Sequence, residues 1–353
     1  MTPTMGVPDV LARSQELTTP ALMTAIGRLA PDIRRLVSYH MGWSDTSGRP
    51  TEEQGGKGIR PALALLSAEA AWADAIISVP GAVALELVHN FSLIHDDIID
   101  GDTERHHRPT VWSVWGIGSA IIAGDALETL AHQVLLEGAS PHVSAASAAL
   151  AEATAAMIAG QADDLAFEGR RTVTVEECMA MSAAKTGALL GAATSIGAVL
   201  AGASPATVGS LRDFGAHLGL AFQAVDDLLG IWGDPARTGK PAGNDLRQRK
   251  KSMPVVSALA AGGDEADELL ALLAAPDPDP GPDPGGASRD PLDADQIARA
   301  AYLVESCGGR AWTAARAKAH LDAALGALER VRLSPAPQRE LADMAVYVVE
   351  RQS

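Results

Sequence analysis

An apolar segment that ends in three acids, ELVHNFSLIHDDIID at 86–100, restricts this chain more than any other stretch. Its apolar positions suit a core helix, yet it carries His89, His95, Asp96, Asp97 and Asp100. Residues four apart share a helix face, so Asp96 and Asp100 point the same way, with His89 about two turns earlier. Carboxylates crowded into an apolar helix cost stability unless they reach water or a cation. Hard divalent cations such as Mg2+ take one or two carboxylates and complete their shell with water and substrate phosphates. The segment therefore reads as a magnesium shelf for a phosphorylated ligand. A solvated acidic patch at a helix end is the plainer reading.

A second segment shifts the balance. Residues 221–234, AFQAVDDLLGIWGD, are again apolar, with Asp226 and Asp227 adjacent and Gln223 one turn earlier. Two acid pairs on two apolar helices are expected to face each other across a cavity and clamp one metal-bridged diphosphate.

At 353 residues the chain is long enough for two domains. Ala-rich periodic segments recur from end to end, however, and the candidate site residues spread from 55 to 254. The expectation is an all-α fold: a single large helical bundle around a central cavity, one domain over 1–353. With 47% hydrophobic and only 4% aromatic residues, Ala, Leu and Val must do most of the packing. A net charge of −16 argues against nucleic acid as a partner. It leaves phosphorylated small molecules open, because metals neutralise a site locally. Cys178 and Cys307 have no metal-ligand spacing and point to a reduced, cytoplasmic protein. MTPTMGVPDVLARSQ has no basic region followed by an apolar core, so no signal peptide is read. No run of about 18 uncharged apolar residues predicts a membrane span.

Along the chain, residues 1–12 read as loose, and helical spacing predicts a helix over 15–41. The turn after it ends in Gly55, Gly56, Lys57, Gly58, Ile59 and Arg60, where glycines and bases before a helix suit an anion. After Asp100, GDTERHHRPT reads as a polar loop with Arg105, His106, His107 and Arg108; arginine grips phosphate in a fork, and no further ligands support zinc. Helix is expected over 110–137, with Trp112 and Trp115 in core or interface and Asp125 unassigned. The segment 143–166 ends in GQADDLA, where Gln161, Asp163 and Asp164 suit either the site or a helix surface. Lys185 and Thr186 sit in an apolar helix, and a buried lysine needs a partner that a phosphate would supply. GDPARTGKPAGNDLRQRKKSMP, with Asp234, Lys240, Asp245, Arg249, Lys250 and Lys251, suits a lid over a metal-bound anion. Residues 276–292 form an acidic Pro/Gly-rich surface insertion. Helices are expected again over 293–331 and 335–351.

These motifs together resemble the trans-isoprenyl diphosphate synthase, or polyprenyl synthetase, family. The resemblance covers about 15–350. It rests on GGKGIRP at 55, LELVHNFSLIHDDIID at 85, ERHHRPT at 104, GQADDL at 160, KTGALLGAA at 185, FQAVDDLLG at 222 and TGKPAGNDLRQRKKSMP at 238. It implies an enzyme that ionises an allylic diphosphate, adds the cation to isopentenyl diphosphate and then removes a proton. Charge builds on the leaving diphosphate, and three Mg2+ ions with nearby protein cations would stabilise it.

By that resemblance Asp96, Asp100 and Asp226 are the metal ligands, supported by Asp97 and Asp227. Arg105, Lys185, Thr186, Gln223, Lys240 and Lys250 surround the allylic diphosphate, while Lys57, Arg60 and His89 anchor isopentenyl diphosphate. The sequence departs from the family pattern at three positions. His106 replaces the second arginine after the first acid motif, a weaker anion grip for which Arg108 or Lys57 would compensate. Gly230 replaces the last acid of the second motif, and Gly58 replaces a frequent base. Phe91, five residues before Asp96 and followed by small Ser92, resembles short-chain synthases that stop at geranylgeranyl diphosphate, with farnesyl diphosphate next. A terpene cyclase and an inactive regulatory subunit are the alternatives; Lys57, Arg60 and His89 weigh against the first and the complete first acid cluster against the second. The family also implies a homodimer.

Overall fold

The computed structural model describes residues 6–51, 58–234, 242–274 and 292–350. Lys57, Lys240 and residues 276–291 of the acidic segment lie outside the described residues. Among the described residues the fold is all-α apart from one short hairpin and an isolated bridge between Ser44 and Pro50. It begins with α1 (Val7–Ile26), α2 (Pro31–His40), α3 (Ile59–Ala70), a 3-10 turn (Ala75–Ser78) and α4 (Val79–Ile99). The hairpin β1 (Glu104–Arg105) and β2 (Arg108–Pro109) leads to α5 (Val111–Trp115), α6 (Ile117–Leu136), α7 (Val143–Glu168) and α8 (Val175–Ser182). A π-helical turn (Ala183–Gly187) precedes α9 (Ala188–Ala193), α10 (Ile196–Leu200) and α11 (Pro205–Trp232). The last helices are α12 (Asn244–Arg247), α13 (Met253–Ala261), α14 (Asp264–Leu273), α15 (Ala294–Ser306), α16 (Gly309–Glu329) and α17 (Pro335–Glu350).

The contacts gather into two compact units. The first comprises Met1–Ala155, Ala188–Ala216 and Ala324–Tyr347; the second comprises Ala156–Gly187, His217–Ala323 and Val348–Ser353. In the first unit α3 is buried without a break from Pro61 to Ala68, and it packs on α4 and α10. The Gly197 N–H of α10 donates to Ser67 Oγ of α3 at 3.0 Å. α4 in turn lies along α6, burying Leu85, Leu87 and Ile94. Each such side chain contributes about 1.5–3 kcal/mol, which is how this helix bears the acids at its end. In the second unit Ile231, Leu246, Val255, Leu269, Leu273, Ile297, Leu303 and Val304 form the core. Leu292, at the end of the acidic segment, is buried in it.

Several elements differ from the sequence reading. The helix expected over 15–41 is two helices, because Gly27 caps α1 and Pro31 starts α2 with a residue that needs no amide partner. α1 also begins within the stretch read as loose, capped by Gly6 with Pro8 in its first turn. The helix over 110–137 breaks at Gly116, whose φ of 85° lies in the left-handed region that side chains avoid. The polar loop after Asp100 is a hairpin in which Arg105 pairs with Arg108. His106 and His107 form its tip at φ 51° and 61°, as a tight two-residue turn demands. Two stretches, Ala75–Ile99 and Val143–Glu168, are long and apolar enough to cross a membrane by length and composition. Each carries a glutamate inside it, Glu86 and Glu152.

Candidate active site

In the first unit α4 delivers its acids at its C-terminal end: Asp96 is half-buried, Asp97 buried and Asp100 exposed as the C-cap. The hairpin folds Arg105 back so that its Nε donates to Asp97 Oδ1 at 2.7 Å. Burial pushes the Asp97 carboxyl up while Arg105 holds it down, with burial the larger effect. Arg108 donates to Ser44 O at 2.8 Å and lies over the Tyr39 ring at 4.3 Å. Tyr39 OH donates to Pro109 O. The arginine proposed to compensate for His106 therefore also fastens the hairpin to α2.

Arg60, Arg105 and His106, from other elements of the chain, act electrostatically on His89 here. Burial, then Arg60, His40, Arg105 and His106, hold His89 well below the usual imidazole range. His40 falls to about 4, through burial first and Arg105 next. Both imidazoles are neutral at neutral pH in this field, which favours an anion. Arg60, at the start of α3, buries its Nε without a hydrogen-bond partner, and Glu86 is the carboxylate that supports its charge. Burial pushes Glu86 up, opposed by Arg60 and by Asn90, whose Nδ2 donates to Glu86 Oε1 at 3.3 Å. His40 and Glu86 were missed in the sequence. Glu86 looked like an ordinary helix glutamate, and no motif contains His40.

In the second unit the acids belong to a hydrogen-bonded relay. Thr186 Oγ1 donates to Gln223 Oε1 at 2.7 Å, and Gln223 Nε2 donates to Asp227 Oδ1 at 2.7 Å. Asp227 Oδ2 accepts from the Met253 N–H at 2.8 Å. Both Asp227 oxygens are thus fixed while Asp226 beside it is exposed. Burial and the neighbouring Asp245 push Asp227 up to about 7. The Met253 amide counts in this relay, and no side-chain pattern announces a backbone donor.

Lys185 lies in the π-helical turn, an irregularity common at functional sites. Its Nζ donates to Asp164 Oδ2, so the partner found is a carboxylate where the sequence reading supplied a phosphate. Asp164 thereby joins the site, while Asp163 is exposed. Lys250 is half-buried in the segment between α12 and α13, and its N–H donates to Asp245 O at 2.8 Å. Arg249 has φ 54° and buries Nε and Nη1 without partners.

The acids expected from the sequence to hold a metal, Asp96 and Asp100 in the first unit and Asp226 in the second, are hard oxygen donors, none of them buried. Among the described residues no three His, Cys, Asp or Glu side chains make a ready cation cage.

The family model of polyprenyl synthetase matches residues 43–280. A (2E,6E)-farnesyl diphosphate synthase of Mycobacterium tuberculosis is 48% identical over 344 residues, covering 98% of this chain and 93% of the relative. A geranylgeranyl diphosphate synthase of the same organism is 40% identical over 328 residues, covering 92% and 90%. The crystal structure of a polyprenyl synthetase from Streptomyces coelicolor matches with a TM-score of 0.90 at 49% identity, over 97% of this chain and 99% of that one. Both M. tuberculosis relatives are named as prenyl diphosphate synthases, which leaves the cyclase and regulatory-subunit readings without support. On the family model, the two relatives and the shared all-α fold, this chain belongs to the polyprenyl synthetase family and is a trans-prenyltransferase.

Proposed function

We propose that the enzyme performs Mg2+-dependent head-to-tail condensation of isopentenyl diphosphate with an allylic diphosphate, giving a short-chain trans-prenyl diphosphate. The observation that carries this reading is that each helix end pairs a buried, hydrogen-bonded acid with a more exposed one. Asp97 and Asp227 are held by Arg105, Gln223 and the Met253 amide, whereas Asp100 and Asp226 are exposed. Asp96, Asp100 and Asp226 would hold the metal, three ions in the family's manner. Bound Mg2+ supplies charge neutralisation on the departing diphosphate.

The protein's own groups do the rest. Lys185, Thr186 and Gln223, with Arg105, Lys240 and Lys250, orient the allylic diphosphate. Arg60, with its unpartnered Nε, together with His89, His106 and Lys57, anchors isopentenyl diphosphate. An anion entering the field of His40 and His89 raises their affinity for protons. Phe91 is buried and meets His95 edge-on at 4.9 Å between ring centres. An aromatic side chain so packed is a firm floor for the growing chain.

Two products remain in view. The relative at 48% identity favours farnesyl diphosphate, and small Ser92 beside Phe91 favours geranylgeranyl diphosphate. The protein is proposed to be cytoplasmic, in keeping with its two free thiols, Cys178 and Cys307, and to have no membrane span. It is also proposed to form a homodimer that covers Ile117, Ile121 and Ile122, exposed on one side of α6. Purified protein incubated with Mg2+, isopentenyl diphosphate and each allylic diphosphate, followed by product identification, tests the reading. A short trans-prenyl diphosphate formed only with both substrates supports it. A hydrocarbon made without isopentenyl diphosphate, or no turnover, overturns it.

A further inference from the structure

α3 ends on a residue that the backbone there disfavours. The Ala73 N–H donates to Ala68 O at 3.0 Å and the Trp72 N–H to Glu69 O at 3.0 Å, the paired bonds that close a helix through a left-handed residue. Trp72 is that residue, at φ 65°. Glycine takes this position without strain, and a bulky side chain in it is an outlier of the kind that gathers at functional positions. Burial offers the indole little in return, since Trp72 is 61% exposed.

Four residues on, Ile76 is 63% exposed. Its N–H donates to the Asp74 carboxylate at 2.9 Å, which caps the 3-10 turn. The Arg332 guanidinium, exposed in the segment between α16 and α17, lies 6.0 Å from the centre of the Trp72 ring. That segment is fastened to the end of α3 by the Ser334 N–H, which donates to Ala70 O at 2.9 Å. Glu69, close by in the chain, is answered by Arg13 through bonds of 2.8 and 2.7 Å. Two large apolar side chains and a cation are thus displayed on a braced turn. Arg60 and Asp96 lie toward the opposite ends of the two helices that this turn joins.

We propose that this turn docks on an anionic phospholipid surface, with Trp72 at the depth of the headgroups, Ile76 deeper and Arg332 on a phosphate. A lipid surface fits better than a second protein. An aromatic side chain buries roughly 150–250 Å2, so Trp72 and Ile76 together fall well short of the ~800 Å2 that each partner covers in a specific protein interface. An indole, apolar with one polar edge, suits the headgroup layer without any matching surface. Arginine gains at an anionic bilayer even on a chain of net charge −16, because charges beyond about 8–10 Å are screened. α4 runs roughly 25 Å from Val79 to Asp96, so docking here leaves those acids clear of the lipid.

The test is flotation of the full chain with phosphatidylcholine vesicles, with and without phosphatidylglycerol, alongside melting temperatures and size-exclusion chromatography. It compares wild type, Trp72→Gly, Ile76→Ser and Arg332→Gln. Trp72→Gly relieves the left-handed strain and removes the ring. It is expected to melt no lower than wild type while binding phosphatidylglycerol vesicles roughly tenfold more weakly. Ile76→Ser is expected to weaken binding severalfold. Arg332→Gln is expected to weaken it about fivefold, the scale for one basic residue at an anionic surface, and only with phosphatidylglycerol present. Wild type that stays off phosphatidylglycerol vesicles overturns the inference, as does Trp72→Gly binding like wild type. A lower melting temperature for Trp72→Gly overturns it by making Trp72 a packing residue. A changed elution volume for that variant overturns it in favour of a second copy of the chain.

Discussion

The end of α4 and the end of α11 carry the same motif, two adjacent aspartates on an apolar helix, and the fold treats them differently. At α4 the buried acid, Asp97, is answered by a protein cation, Arg105, with Arg60, His40, His89 and His106 nearby in the same field. At α11 the buried acid, Asp227, is answered by neutral donors, Gln223 and the Met253 amide, while burial first, then Asp245 and Asp226, push it up to about 7. The adjacent lysine, Lys185, is paired with Asp164. One buried acid is thus answered by a protein cation and the other by neutral donors. The comparison predicts that the α11 acids depend more on an imported cation.

The largest test of that contrast is kinetic. Asp226→Asn and Asp96→Asn should each lower kcat, on the order of 100- to 1,000-fold, the scale for removing one group that stabilises developing charge. Asp226→Asn should also need more Mg2+ for half-maximal rate than Asp96→Asn does. Equal Mg2+ dependence would erase the distinction between the two halves.

A second test uses acid. His40, lowered to about 4, and His89, lowered by burial and its cationic neighbours, resist protonation in the folded chain. Neither affects stability above the unfolded histidine pKa of about 6.5. As pH falls below that value the unfolded chain takes protons that the folded chain refuses, and stability is lost until pH reaches the folded value. The cost at His40, which is only half-buried, is about 1–3 kcal/mol. Urea denaturation between pH 7 and pH 4 should show this loss, and His40→Gln should flatten it. An unchanged slope in the variant would place the cause elsewhere.

Gln223→Leu probes the neutral relay at a similar or smaller scale. It strips a donor from buried Asp227 and an acceptor from Thr186, at about 1–3 kcal/mol by urea denaturation. Phe91→Ala changes outcome more than rate: the product should lengthen by chromatography of the dephosphorylated alcohols, and an unchanged length would show that another residue forms the floor. The smallest effect is expected from His106→Arg, a severalfold drop in KM for isopentenyl diphosphate. A rise would mean that the exposed tip of the hairpin needs its histidine.

The local groupings within the candidate site were legible because they are written in short spacings. Asp96 with Asp100, Gln223 with Asp227, and Lys185 with Thr186 lie within one helical turn of each other, so periodicity alone groups them. Helix existence was legible for the same reason, whereas the breaks at Pro31 and Gly116 went unread because the apolar period continues past them. What escaped was assembled over long separations. Asp245 meets Gly230 only because α12 is tied to Ile231 O. His40 meets the field of Arg105 only once the hairpin docks on Tyr39.

The most direct test of the proposed function, in which both acid clusters are proposed to act on one diphosphate, is a double-variant comparison of Asp96→Asn, Asp226→Asn and the pair, read as the single-turnover rate of diphosphate release. Groups that act as a unit lose little more together than apart, so the double variant should be about as slow as the slower single. Losses that multiply in full would mean two independent sites and would contradict the account.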